Sequence, residues 1–318
     1  MPTDNHRSKV IYIVAHGHSG TTLLDTMIGN MPDAISTGEV FLISRWGATE
    51  DKRGCTCGSL VTECALWGPC SDVLRGGDDA DPGARKRFWS QFPTQVGDYG
   101  RRLYVGFLFP LLLMIGMRPL MKLFRGNRMV ADGLKASENS WKLFEAMEQV
   151  AAPRVIIDSS KSPLRMKALH MTRTRPFYVI HLVRDGRAIA SSYHRREGKS
   201  IAFYANEWRR RWLFRSLMLF TVPRKSTLTL KYEDLAARPA EVLRSICRFI
   251  DEPEHLADEA LSRDGEVNHH IGGNMARVHG ASLAKIRLDE RWRDELGEPE
   301  LAAFNRKAGW LNRHLGYK

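Results

Sequence analysis

Between an apolar run ending at Ala15 and a helical pattern opening at Thr21 lies the turn His16-Gly17-His18-Ser19-Gly20. A helix N-terminus exposes unpaired N–H groups and the positive end of its dipole, so a turn that glycine lets approach closely can wrap an anion. Gly17, His18, Ser19, Gly20, Thr21 and Thr22 are the residues such an anion would touch. The lysine and spacing of G-x-x-x-x-G-K-[ST], used by nucleotide triphosphatases, are absent. The dinucleotide pattern G-x-G-x-x-G is absent as well. Alone, the turn equally describes a capped helix start. A second basic position changes the balance. The apolar run Phe177–Val183 ends in Arg184, followed by Asp185-Gly186 and a helical stretch that carries Ser192. Ligands of open α/β sheets bind outside the carboxyl ends of the strands, so an arginine there shares its crevice with the first turn. A third run, Arg154–Ile157, delivers Asp158, Ser159, Ser160 and Lys161 to the same edge. Lys161 is read either as a cation for a charged ligand or as a solvated lysine at a helix start; Asp158 and Ser162 suit a turn and a cap.

Cys55, Cys57, Cys64 and Cys70 crowd into a short loop with the spacing C-x-C-x6-C-x5-C. Four thiolates suit tetrahedral zinc, but this spacing departs from paired C-x2-C knuckles. Reduced packing thiols or redox-labile thiols are therefore expected ahead of a metal, and no metal site is assigned. Cys247, in an amphipathic stretch, reads as a buried small apolar residue. The histidines show neither H-x-x-x-H nor H-E-x-x-H spacing, and the adjacent His269 and His270 read as polar loop residues.

The elements that must position these groups follow from the apolar runs. Val10–Ala15, Arg154–Ile157, Phe177–Val183 and Thr227–Tyr232 are short and apolar enough for strands buried on both faces. They alternate with helical patterns at about 21–30, 138–150, 162–172, 186–197, 200–219 and 238–250. The expectation is an α/β fold: an open, mainly parallel sheet flanked by helices. With 318 residues, the chain is read as one domain, 1–318. A mainly helical insertion at about 46–133 would form an acceptor-side lid. Within it, the apolar run Tyr104–Met117 contains Pro110 and is shorter than the roughly 20 residues of a membrane span. It reads as a buried or lid helix, with peripheral contact to an anionic membrane face as the alternative suggested by Arg101, Arg102, Arg118 and Lys122. The net charge of +12 favours an anionic small molecule, polymer or membrane face without choosing among them. No signal-peptide pattern precedes Val10, and an odd count of five cysteines does not suit a disulfide framework. The cytoplasm is the expected compartment, with peripheral placement at the inner membrane face as its variant.

Together, the segments around Gly17–Thr22 and Arg184–Ser192 resemble the sulfotransferases that use 3'-phosphoadenosine 5'-phosphosulfate (PAPS). The eight-residue Arg-to-Ser spacing of that family is kept. "LKYEDLAARPAEVLRSICRFI" and "WLNRHLGY" resemble its strand–turn–helix unit and its C-terminal close. The resemblance leans toward bacterial forms and toward the glycan and tyrosylprotein enzymes rather than the cytosolic aryl ones, whose Arg-Lys-Gly loop is missing. It implies a P-loop-like fold in which Gly17–Thr22 hold the 5'-phosphosulfate and Arg184 with Ser192 hold the 3'-phosphate. It also implies Tyr232 near the adenine, and Asn274 and Arg277 on a late loop closing over the nucleotide. Glu39, in "STGEVFLISR", falls where those relatives use a carboxylate as base, and Lys161 where they place a lysine near the sulfate. His18 stands where the family commonly has Lys or Arg, so its charge would depend on pH near neutrality. The expected reaction moves a sulfuryl group from PAPS to a hydroxyl or amine on a glycan, a lipid or a small molecule. It requires no metal and involves no specific nucleic acid. The alternative is a non-catalytic nucleotide or polyanion binder on the same fold.

Overall fold

A computed structural model describes residues 7–77, 81–95, 128–263, 269–272 and 287–318. Its sheet has five parallel strands in the order β2-β3-β1-β4-β5, namely β1 (Lys9–Ala15), β2 (Ala34–Ser36), β3 (Val155–Lys161), β4 (Phe177–Val183) and β5 (Thr227–Lys231). β1 is central because its side chains are apolar on both faces. Val10, Tyr12 and Val14 point into one buried cluster, and Ile11, Ile13 and Ala15 into another.

The helices that bear on the site are α1 (Thr21–Gly29), α2 (Ile43–Gly47), α3 (Trp67–Arg75), α4 (Pro82–Ser90), α5 (Arg128–Ala151), α6 (Pro163–Thr172), α7 (Gly186–Glu197), α8 (Ile201–Phe220), α9 (Tyr232–Ala237) and α10 (Pro239–Phe249). Beyond them lie α11 (His255–Ser262), α12 (Trp292–Glu295), α13 (Glu298–Phe304) and α14 (Trp310–His314). The α/β fold anticipated from the alternating runs is the fold observed. Two boundaries differ by more than one residue: β3 continues through Lys161, and α5 begins at Arg128, well before residue 138. Within the insertion, Cys55, Val61, Cys64, Trp67, Cys70 and Trp89 share a core with Val10 and Tyr12 of the central strand. The run Tyr104–Met117 lies outside the described residues. Among the described residues, no helix is long and apolar enough to cross a membrane.

β1 is flanked by β3 on one side and β4 on the other, so its carboxyl end opens at the point where strand order reverses. That edge carries the turn His16–Gly20, Lys161 and Arg184.

Candidate active site

Both glycines of the first turn are fixed by their neighbours. A Cβ on Gly17 would lie 2.3 Å from the Tyr193 hydroxyl; one on Gly20 would lie 2.3 Å from Cδ2 of Tyr232. Gly20 also has φ 81°, the left-handed conformation that glycine adopts freely. α6, α7 and α8 are capped by the side chains of Ser162, Asp185 and Ser200. α1 instead starts with no side-chain cap and no acidic residue in its first turn. Its N–H groups and dipole therefore face the turn uncompensated. Thr21 is buried and Thr22 half-buried at this helix start. Ser19 Oγ, in the turn, and Arg184 Nε, at the end of β4, are buried without a protein partner. Such donors suit an anion.

Arg184 is 7% exposed and ties the second position to the first. Its Nη1 donates to the carbonyl of His18 at 2.8 Å, and its Nη2 to the carbonyl of Asp289 at 2.8 Å. Its guanidinium lies 4.3 Å from the ring centre of Tyr232. Tyr232 is thus packed under both Gly20 and Arg184. The Asp289 carboxylate approaches Arg184 to 3.2 Å, and Arg291 followed by Arg184 holds that carboxyl well below the usual range. The two sequence segments of the resemblance brace this region. The Gly186 N–H donates to Asn312 Oδ1 at 2.9 Å, Asp185 N–H to Glu233 at 3.1 Å, and the Tyr317 hydroxyl to Glu233 at 2.8 Å.

His18 has φ 63°, a strained conformation for a non-glycine residue that persists where the surroundings impose it. Ser192 Oγ lies 3.1 Å from its Nδ1 and Arg196 Nη1 3.4 Å from its Nε2. Since the arginine can only donate, Nε2 is the acceptor and the proton belongs on Nδ1, facing Ser192. Burial, and then the charges of Arg196, Lys161 and Arg184, hold the pKa of His18 below the ordinary imidazole value. His18 is thus neutral in the free protein near pH 7, and Arg196 supplies the charge beside it. Arg196 was legible only as a position four residues after Ser192 on the same helix face. Tyr193, whose ring packs edge-on against His18 at 4.4 Å, and Asp289 carried no sequence signal.

On the other side of the turn, Lys161 Nζ donates to Glu39 Oε1 at 2.6 Å. β3 gains one residue against β1 between the pairs Tyr12–Asp158 and Val14–Lys161, a bulge that re-aims the strand end. Lys161 follows it at φ 66°. Glu39 is placed by main-chain contact: its N–H donates to the carbonyl of Ile271 at 2.8 Å. Asp158 is not available for chemistry. It is fully buried against Arg165 at 2.8 Å and accepts the Ser160 N–H at 2.9 Å. His16 is buried behind the turn, and desolvation followed by Arg215 lowers its pKa to about 3. Asn274 and Arg277 lie outside the described residues.

The structure thus brings the turn Gly17–Thr22 into contact with Arg184, Ser192 and Tyr232, with Lys161 and its partner Glu39 beside it at the end of β3, which pairs with β1. Over its full length, the chain is similar in fold to two solved structures. One is a sulfotransferase domain from the curacin biosynthetic pathway, 17% identical over 98% of each chain with a TM-score of 0.57. The other is the sulfotransferase domain of the Synechococcus PCC 7002 olefin synthase, 17% identical over 99% of this chain and 98% of that one with a TM-score of 0.55. No curated protein matches significantly. The model of the sulfotransferase family matches residues 81–256, more than half of the chain, a span that includes Lys161, Arg184, Ser192 and Tyr232. The chain belongs to the sulfotransferase family.

Proposed function

We infer that this sulfotransferase takes its sulfuryl group from PAPS and passes it to a hydroxyl or amine of a glycan, glycolipid or small metabolite. The observation that carries the reading is the Glu39–Lys161 pair, held at 2.6 Å beside the uncapped start of α1. In this reading the N–H groups of the turn, with Ser19, Thr21 and Thr22, hold the 5'-phosphosulfate. Arg184 and Ser192 hold the 3'-phosphate, and Tyr232 lines the nucleotide side.

The transfer breaks the bond from sulfur to the phosphate oxygen and forms one from sulfur to the acceptor oxygen or nitrogen. Positioning and charge stabilisation do most of this work, by analogy with phosphoryl transfer. Lys161 stands where charge grows on the departing oxygen. As that charge develops, its ammonium shifts from Glu39 toward it, and Glu39 takes the acceptor proton. His18 and Arg196 border the bisphosphate from the α7 side. The acceptor side falls to the insertion at about 46–133, which we read as a lid.

The test is transfer of labelled sulfate from PAPS to a panel of glycan, lipid and small-molecule acceptors, alongside calorimetry with 3',5'-bisphosphoadenosine. Label on at least one acceptor class supports the reading. Tight bisphosphate binding with no transfer to any class would assign the chain to binding instead of catalysis.

A further inference from the structure

We propose that Cys55, Cys57, Cys64 and His269 bind one structural zinc ion. These four residues bring one ligand atom each to a single point, all within 4.8 Å of one another. Zinc holds sulfur at about 2.3 Å and nitrogen at about 2.0–2.1 Å, so the edges of its tetrahedron run to about 3.8 Å between sulfurs and about 3.6 Å from sulfur to nitrogen. The sulfur pairs here are separated by 3.6 Å (Cys55–Cys64), 3.2 Å (Cys55–Cys57) and 3.7 Å (Cys57–Cys64). His269 Nδ1 lies 3.1 Å from the sulfur of Cys64 and 4.0 Å from that of Cys55. All five cysteines of the chain are unbridged.

Three sulfurs and an imidazole select zinc over magnesium or calcium, and four protein ligands leave no open position for a substrate. Cys70, the fourth cysteine of the sequence cluster, is buried on α3 and gives way to a histidine 205 residues beyond Cys64. Cys57 and His269 are only half-buried, which leaves the ion a path of entry. Outside the ligands, Trp67 Nε1 donates to the His269 carbonyl at 2.8 Å and fixes that residue, the kind of outer support that ligands of metal sites receive.

The consequence reaches Glu39. The segment His269–Gly272 is laced to the cysteine loop by Thr56 N–H to the His270 carbonyl at 3.1 Å and by Gly272 N–H to the Gly54 carbonyl at 3.2 Å. Its Ile271 N–H donates to Thr37 at 2.9 Å, and its Ile271 carbonyl accepts the Glu39 N–H at 2.8 Å. An ion joining Cys55–Cys64 to His269 would therefore clamp the strip that holds Glu39 in register.

Elemental analysis of the untagged full-length chain, purified without chelator, should find close to one zinc per chain. That content should be kept in Cys70→Ser and lost in Cys57→Ser and His269→Ala. His269→Cys, which restores a fourth ligand, should recover it. Reduced, metal-stripped wild type titrated with cobalt should develop thiolate charge-transfer absorption and the intense visible bands of a tetrahedral site; this readout does not depend on any variant folding. Wild-type protein with no zinc and no such cobalt spectrum would overturn the proposal, as would full zinc content in Cys57→Ser combined with His269→Ala. Either result would leave the sulfuryl-transfer reading standing, because the PAPS assay tests that reading separately.

Discussion

Glu39 and Lys161 form the pair whose removal should separate binding from turnover. The carboxylate bonds to Lys161 and not to the turn that would hold the donor, so Glu39→Gln should keep bisphosphate affinity while turnover falls by about 10² to 10⁴, the usual contribution of a positioned base. Steady-state rates beside calorimetry check this, and an undiminished rate would remove Glu39 from the chemistry. His18 calls for a different experiment, because the free protein holds it neutral. A phosphate placed against it favours the imidazolium, so donor binding should take up a proton. Affinity for bisphosphoadenosine should therefore strengthen as pH falls from about 8 to about 6. Phosphate protonation near pH 6 works in the opposite sense but acts on every variant alike. The ratio of wild-type to His18→Arg affinity isolates the histidine; it should rise toward acid pH, and a flat ratio would mean that His18 does not meet the phosphate.

At the scale of elements, the central strands and the helices after them were legible because their signals are local. Phe177–Val183 is apolar at every position but His181 and is bounded by Pro176 and Arg184, and β4 occupies those residues. β2 leaves no sequence signal because three residues at the sheet edge are too few for a period to show. The bulge that turns Lys161 is written in pairing with β1, a relation between distant segments that the Asp-Ser-Ser-Lys string does not reveal. For the same reason the sequence presents Glu39 and Lys161 as separate candidates, and their 2.6 Å contact is a property of the fold alone. The cysteines form a visible cluster in the sequence, but His269 enters from 205 residues beyond Cys64, a distance over which spacing carries no signal. The C-terminal turn illustrates how a remote element acts on the site. Asn312, 3% exposed, accepts the Gly186 N–H at 2.9 Å and donates to Asp185 at 3.1 Å, holding the start of α7 that follows Arg184. Asn312→Ala leaves the buried Gly186 N–H unpaired, a loss of about 1–3 kcal/mol in stability. Donor affinity should also weaken, although Asn312 touches no part of the predicted nucleotide site. Denaturant unfolding with parallel calorimetry tests both halves, and unchanged stability would show that the turn is not braced from there.

Across the whole molecule the strongest pH dependence should come from buried histidines to which the reaction assigns no role. His16, His170 and His181 are each at most 7% exposed. Desolvation first, with Arg215 next for His16 and His181 and Arg173 next for His170, lowers their pKa values to about 3, about 4 and about 3 respectively. In the unfolded chain each would titrate near about 6.5. Between those values the unfolded state binds protons that the folded state refuses, so stability rises with pH through this window and is lost as pH falls below about 6.5. Carboxylates with depressed pKa values, such as Asp289, add their loss only near and below their ordinary value of about 4, so the interval from about pH 7 to about pH 5 reports the histidines. Over that interval one fully buried histidine forfeits up to about 2 kcal/mol. His181 gives the cleanest check, because its Nε2 accepts from Arg215 Nε at 3.1 Å and a protonated ring would have to surrender that bond beside a buried guanidinium. A glutamine at this position offers an amide oxygen to the same donor and does not titrate. His181→Gln should therefore lose less stability than wild type on moving from pH 7 to pH 5, by up to about 2 kcal/mol in the difference of unfolding free energies. Urea unfolding of the two proteins at both pH values measures this; parallel losses would show that His181 takes up its proton without cost and that acid sensitivity originates elsewhere.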